Sequence, residues 1–133
     1  MASHTAPSSQ QLKIVRLALF AGQLLFGAVA WFLTSSGRFS AGMDEGLQQG
    51  FDVAFPLMAL AALGGLLLLR RRYGQSDPEQ QRVLCVIGWA LGEGVSLFGA
   101  VILLLGGGPL FFLAGLLLFG IAWLLLPIPS AGD

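Results

Sequence analysis

Apolar residues fill four stretches of this chain, about Leu12 to Leu33, Phe51 to Leu69, Arg82 to Leu105 and Leu110 to Leu126, with polar connections between them. A helix crosses the hydrocarbon core of a bilayer with roughly 20 mainly apolar residues, so the pattern predicts an all-α bundle of four transmembrane helices. Residues 1–11 are rich in Ser, Gln and Ala without periodicity, and they read as a disordered tail before a single membrane domain over 12–133. Ala28-Val29-Ala30 also fits the cleavage site of a signal peptide, but the apolar stretch is longer than a usual signal core.

The connections carry their own signals. Between Thr34 and Gly50, Phe39, Met43 and Leu47 recur every fourth position, which suits a short amphipathic turn on the membrane surface; an irregular loop is the other reading. Pro56 is expected in the first turns of the second helix, where a missing amide costs least, and Arg70-Arg71-Arg72 should stop that helix. Asp77 is placed to cap the third helix and Pro78 to start it. Gly106-Gly107-Gly108-Pro109 predicts a tight turn, and Pro127-Ile128-Pro129 ends the fourth helix.

Composition agrees with this reading: 56% of the 133 residues are hydrophobic and 11% charged, against roughly 25% charged in soluble domains. Seven basic and seven acidic residues balance to zero formal charge, which argues against a nucleic-acid surface. A single cysteine, Cys85, and a single histidine, His4, leave no disulfide and no His or Cys metal cluster, so neither metal nor cofactor is expected. Cys85 reads as a small core residue. Lys13, Arg16, Arg70, Arg71, Arg72 and Arg82 fall on one side of the predicted topology and only Arg38 on the other. By the positive-inside rule both termini face the cytoplasm, as in a multi-pass protein of a bacterial inner membrane. The arginine triplet then acts as a topology determinant or a contact for lipid headgroups, and Trp31 and Trp123 fall near helix ends, where indoles favour the interface.

The chain also repeats itself. Ala18-Leu19, Gly22 and Leu25-Phe26-Gly27-Ala28-Val29 match Ala90-Leu91, Gly94 and Leu97-Phe98-Gly99-Ala100-Val101 in one register, and a weaker pattern relates Pro56-Leu57, Leu60-Ala61 and Leu63 to Pro109-Leu110, Leu113-Ala114 and Leu116. Two copies of a helical hairpin, pointing the same way across the membrane, account for both matches. In this register Glu93 stands opposite Ala21.

Glu93 is the residue on which a functional reading turns. It lies near the middle of the third stretch, where a charged carboxylate costs on the order of 3 kcal/mol even on a lenient scale, and burial favours the neutral acid. Gly88, Gly92, Ser96 and Ala100 recur every four residues and form a small-residue stripe suited to close helix packing. Ser96, one turn from Glu93, can donate to the carboxylate, and Gln23 is the deep polar residue of the first helix. Glu93, Ser96 and Gln23 are therefore the candidate ion-binding set, with a proton or sodium ion as the ligand. Alternatively, a neutral Glu93 bonds Gln23, Ser96 or a carbonyl and only joins helices.

From Phe51 to Leu105 the chain resembles the proton-carrying c subunit of rotary ATP synthases. Ala59 to Gly65 corresponds to the small-residue first helix, Arg72 to Gln81 with Asp77-Pro78-Glu79 to the polar loop, and Glu93 followed by Leu97-Phe98-Gly99-Ala100-Val101 to the acid and the run after it. A duplicated hairpin with one acid is similar to the larger c subunits of vacuolar-type enzymes. The chain also resembles small uncharacterised bacterial four-helix membrane proteins with an Ala-Leu-x-Glu segment. The first resemblance implies that Glu93 binds and releases a proton in a homo-oligomer. Two other readings are a non-catalytic subunit or assembly protein that packs against other membrane subunits through small-residue seams, and a small proton-coupled transporter. With short loops and no nucleophile–base pair, an enzyme is not expected.

Overall fold

A computed structural model of the chain describes residues 8–36 and 44–129. Within them the protein is all-helical: α1 (Ser9–Ser35), α2 (Glu45–Tyr73), α3 (Pro78–Leu104) and α4 (Leu110–Leu125). The first three are long and apolar enough to cross a membrane. At 1.5 Å per residue the 29 residues of α2 reach about 43 Å, whereas the 16 of α4 reach about 24 Å, short of a hydrocarbon core of about 30 Å. All four expected helices are present; three have the length and apolarity of a span, and the fourth is a shorter apolar helix.

Helix starts are set by short polar side chains. Ser8 and Gln11 form a reciprocal capping box, Ser8 Oγ accepting from the Gln11 amide (3.1 Å) and Gln11 Oε1 from the Ser8 amide (2.9 Å). This puts Ser9 to Gln11 into α1 instead of a tail. Asp44 accepts from the Leu47 amide at 2.7 Å and starts α2 six residues before the apolar run. Leu47 thus belongs to the first turn of α2, and Phe39 and Met43 lie outside the described residues. Because α2 begins so early, Pro56 is in its interior and not its first turns. It leaves the carbonyl four residues back, at Asp52, without a helical donor, at an edge where Gln48 Nε2 donates to Asp52 Oδ1 at 2.9 Å. Asp77 caps α3 through the Gln80 amide at 2.9 Å, with Pro78 in the first turn. After α3, Gly106 takes φ +99° while the amides of Gly106 and Gly107 bond back to Leu103 and Ile102, a left-handed termination that glycine makes without a Cβ penalty.

α3 is the axis of the bundle. It packs most extensively on α4, then on α1, then on α2, and no comparable contact joins α1 to α2. Half of its most apolar window is buried, against 17% in α1 and α2. The α3–α4 seam is made by small residues. A Cβ on Gly99 would lie 2.6 Å from the Phe111 carbonyl, one on Gly92 3.1 Å from Phe119 Cα, and one on Gly115 would collide with the Ser96 backbone. Gly88 is closed over by Leu126. On the α2 side the packing is aromatic, with Phe98 against Phe51 (5.7 Å) and Phe55 (6.1 Å), and Phe55 stacked on Phe111 at 4.5 Å. Phe112 of α4 presses on both Gly27 of α1 and Gly99 of α3.

Candidate functional site

The inward stripe of α1 runs through Leu12, Arg16, Gln23, Gly27 and Ala30 at helical spacing. It lies along α3, and two contacts fix how the helices are aligned. The Arg16 guanidinium carbon is 5.5 Å from the Trp89 ring centroid and 4.4 Å from that of Trp123. Farther along, Gly27 and Gly99 meet the same Phe112 ring and backbone. Seven residues beyond Arg16 is Gln23, and seven beyond Trp89 is Ser96. Helices running the same way at 1.5 Å per residue therefore bring Gln23 and Ser96 to one level, within about a turn. Glu93 lies one turn before Ser96, level with Phe20 of α1.

These three polar residues are treated differently. Gln23 and Ser96 are both completely buried. Gln23 Nε2 donates to the Leu19 carbonyl at 3.1 Å, which leaves its Oε1 without a partner among the described residues. Ser96 Oγ likewise has none, so the expected hydrogen bond from Ser96 to Glu93 is not formed. Glu93 is half-buried and forms no hydrogen bond or ion pair with any described residue. Of the small-residue stripe, Gly88, Gly92 and Ser96 abut α4 or the chain just after it, and Ala100 is fully buried. The stripe is thus covered within the chain.

A second polar assembly, which reading the sequence did not find, closes the end of the bundle where α1 and α3 begin. The last carbonyls of α4 have no helical donors, and Pro127 and Pro129 provide no amide. Side chains of the other three helices reach these carbonyls. Arg70 Nη1 donates to Leu125 O (3.1 Å), Tyr73 Oη to Pro127 O (2.6 Å) and Ser9 Oγ to Pro129 O (2.7 Å). Cys85 Sγ lies 3.3 Å from the carbonyl oxygens of both Leu126 and Pro127. Cys85 is fully buried as a core residue, with this added contact. The arginine triplet is divided: Arg70 donates to the α4 end and lies over the Tyr73 ring at 5.5 Å, whereas Arg71 and Arg72 are exposed and make neither contact. The pairing of Arg16 with Trp89 and Trp123 was also missed, because it joins residues 73 and 107 positions apart; Trp123 is part of a buried aromatic group with Phe20 and Phe119.

Among the described residues no group of three His, Cys, Asp or Glu side chains could hold a metal ion. Compared with known proteins, the chain matches no family model, no curated protein and no solved structure.

Proposed function

We propose that this is an integral membrane protein in which Glu93 takes up and releases a proton, or binds a small cation, at mid-membrane depth. The observation that carries the reading is the unmet hydrogen-bonding capacity of Gln23 Oε1 and Ser96 Oγ, buried at the level of an unpaired acid. Buried polar atoms in native proteins are nearly always satisfied, and exceptions point to a functional group or an unseen ligand. An intramembrane carboxylate is costly enough to be a functional candidate by default. On this reading Glu93 holds the exchangeable proton, while Gln23 and Ser96 supply an acceptor and a hydroxyl to the occupied state. The resemblance of residues 51–105 to rotary c subunits supports the same role, with a homo-oligomer as the working form.

Both chain ends are assigned to the cytoplasmic face of a bacterial inner membrane, because Lys13, Arg16, Arg70, Arg71, Arg72 and Arg82 gather at the end of the bundle that Ser9 and Pro129 close. Duplication of a hairpin is proposed from the shared Leu-Phe-Gly-Ala-Val run alone, in which Gly27 and Gly99 are equivalent positions. The reading as a packing subunit has less support, since the stripe that would bind foreign helices is occupied by α4.

A carboxyl-directed carbodiimide tests the proposal, because it adds to a protonated acid in an apolar setting. The full chain in lipid should be labelled at Glu93, with labelling lost in Glu93→Gln and declining as pH rises. Proteoliposomes should show a proton flux that Glu93→Gln abolishes. Absence of labelling in folded, lipid-embedded protein would overturn the reading. Flux that depends on an added substrate would transfer it to a small proton-coupled transporter.

A further inference from the structure

α2 and α3 pack at Phe51, Phe55 and Phe98, meet again where Leu91 lies over Gly65, and are tied at their joining turn by Gln81 Nε2 donating to the Tyr73 carbonyl at 2.9 Å. Two open depressions lie on the surface along this pair of helices. A polar cleft of about 500 Å³ lies at the turn, lined by Arg72, Gln75 and Ser76 on one side and Glu79 and Gln80 on the other. An apolar groove of about 320 Å³ follows it along the bundle, between Gly65, Leu68 and Leu69 of α2 and Leu91 of α3. Arg72 lines both, so its side chain stands where the two adjoin.

The dimensions and charges suit one kind of occupant. Gln80 of the cleft and Leu91 of the groove are eleven residues apart on α3, about 16 Å, which is half of a hydrocarbon core of about 30 Å and hence the depth of one leaflet. Arg72 and Glu79 face the cleft with opposite charge and form no ion pair with any described residue. The carboxylates of the N-cap Asp77 and of Glu79 in the first turn of α3 repel a further anion there, whereas a cation beside Glu79 and an anion beside Arg72 are both accommodated.

We infer that this composite cavity binds a zwitterionic glycerophospholipid carrying a primary ammonium, with its phosphate at Arg72, its ammonium at Glu79 and one acyl chain in the groove floored by Gly65 and Leu91. The site is separate from Glu93 and stands whether or not that residue carries an ion.

Native mass spectrometry of the full chain in detergent, supplied with equal amounts of phosphatidylethanolamine and phosphatidylglycerol of matched chains, tests it. The unmodified protein should retain phosphatidylethanolamine preferentially. Arg72→Gln should lower retention of both lipids about fivefold, the worth of one interfacial charge, and Glu79→Gln should abolish the preference. Leu68→Trp, at a position 60% exposed, fills the groove and should lower retention of both lipids without loss of helicity. Arg71→Gln is the control and should change nothing. Equal retention of the two lipids by the unmodified protein, unchanged retention in Leu68→Trp, or a loss in Arg71→Gln as large as in Arg72→Gln would overturn the inference. So would displacement of the lipid by glycerophosphoethanolamine or inorganic phosphate at equal concentration, which would indicate a headgroup site without a chain.

Discussion

α1 and α3 carry the same Leu-Phe-Gly-Ala-Val run, yet one lies at the edge of the bundle and the other is its axis. Equivalent glycines behave alike: Gly27 and Gly99 both receive Phe112, and Gly22 and Gly94 both face open space. The residues between them differ. Phe98 is held between Phe51 and Phe55 of α2, whereas Phe26 is 39% exposed beside an apolar groove of about 220 Å³. Ala100 is fully buried and Ala28 is exposed. The shared sequence encodes a common way of meeting α4. How deeply each helix is buried depends on which other helix covers it, and of these two α2 covers only α3.

The largest test of this comparison is at the shared contact. Gly99→Leu should destabilise the protein by about 3 kcal/mol or more, because its Cβ meets α4 backbone, which cannot move without displacing the helix. Gly27→Leu should cost about 1 kcal/mol, because the obstacle is the Phe112 ring, a side chain that can turn. Titration with sodium dodecyl sulfate in mixed micelles, followed by circular dichroism, measures both. Equal losses would mean that α1 is as tightly fixed as α3.

Next is the phenylalanine pair. Phe98→Ala should cost about 2 kcal/mol for the cavity it opens among Phe51 and Phe55. Phe26→Ala should cost less than about 0.5 kcal/mol, since lipid or detergent replaces the lost contacts at an outward position. A larger loss at Phe26 that grows with protein concentration would show that a second copy covers α1 as α2 covers α3.

Much of this was legible before the structure, for identifiable reasons. Apolar runs and prolines located four helices because their signals are local, and Gly88, Gly92 and Ser96 were identified as a packing stripe from spacing alone. Ser8-x-x-Gln11 and Asp44 were equally local caps, but polar composition made them read as tail and loop. What could not be read depends on chain reversal: Tyr73 and Cys85 meet Pro127, and Arg16 meets Trp89 and Trp123, only because three helices end together. The missing hydrogen bond between Ser96 and Glu93 has a similar origin. One-turn spacing brings the residues near each other, but Ser96 is fully buried where α3 meets α4, whereas Glu93 is only half-buried.

The clasp at the end of α4 gives a smaller effect. Tyr73→Phe removes one buried hydroxyl bond to Pro127 and should cost about 1 kcal/mol. The fold should persist, because Arg70, Ser9 and Cys85 still hold the neighbouring carbonyls. Faster proteolysis after Leu126 in Tyr73→Phe, with the helices otherwise intact, would show that the clasp fixes the tail locally.

The smallest effect is the most informative about assembly. Gly22 and Gly94 have nothing within 4 Å of an added Cβ, so alanine at either position meets no obstacle and removes the conformational freedom that glycine costs a helix interior. Each substitution should stabilise the isolated chain by roughly 0.5 kcal/mol. Gly94 is on the same helix as Glu93, one residue along and on the outward side. If the acid works within a homo-oligomer, a neighbouring helix must approach that side, and a methyl group there would obstruct it. Gly94→Ala should then weaken self-association in lipid, measured by energy transfer between labelled copies, even as it raises the resistance of the monomer to unfolding. Gly22→Ala, on the copy that carries Ala21 in place of the acid, should raise monomer stability and leave association unchanged. Identical behaviour of the two variants in lipid would remove the argument that the side of α3 bearing Glu93 meets another copy.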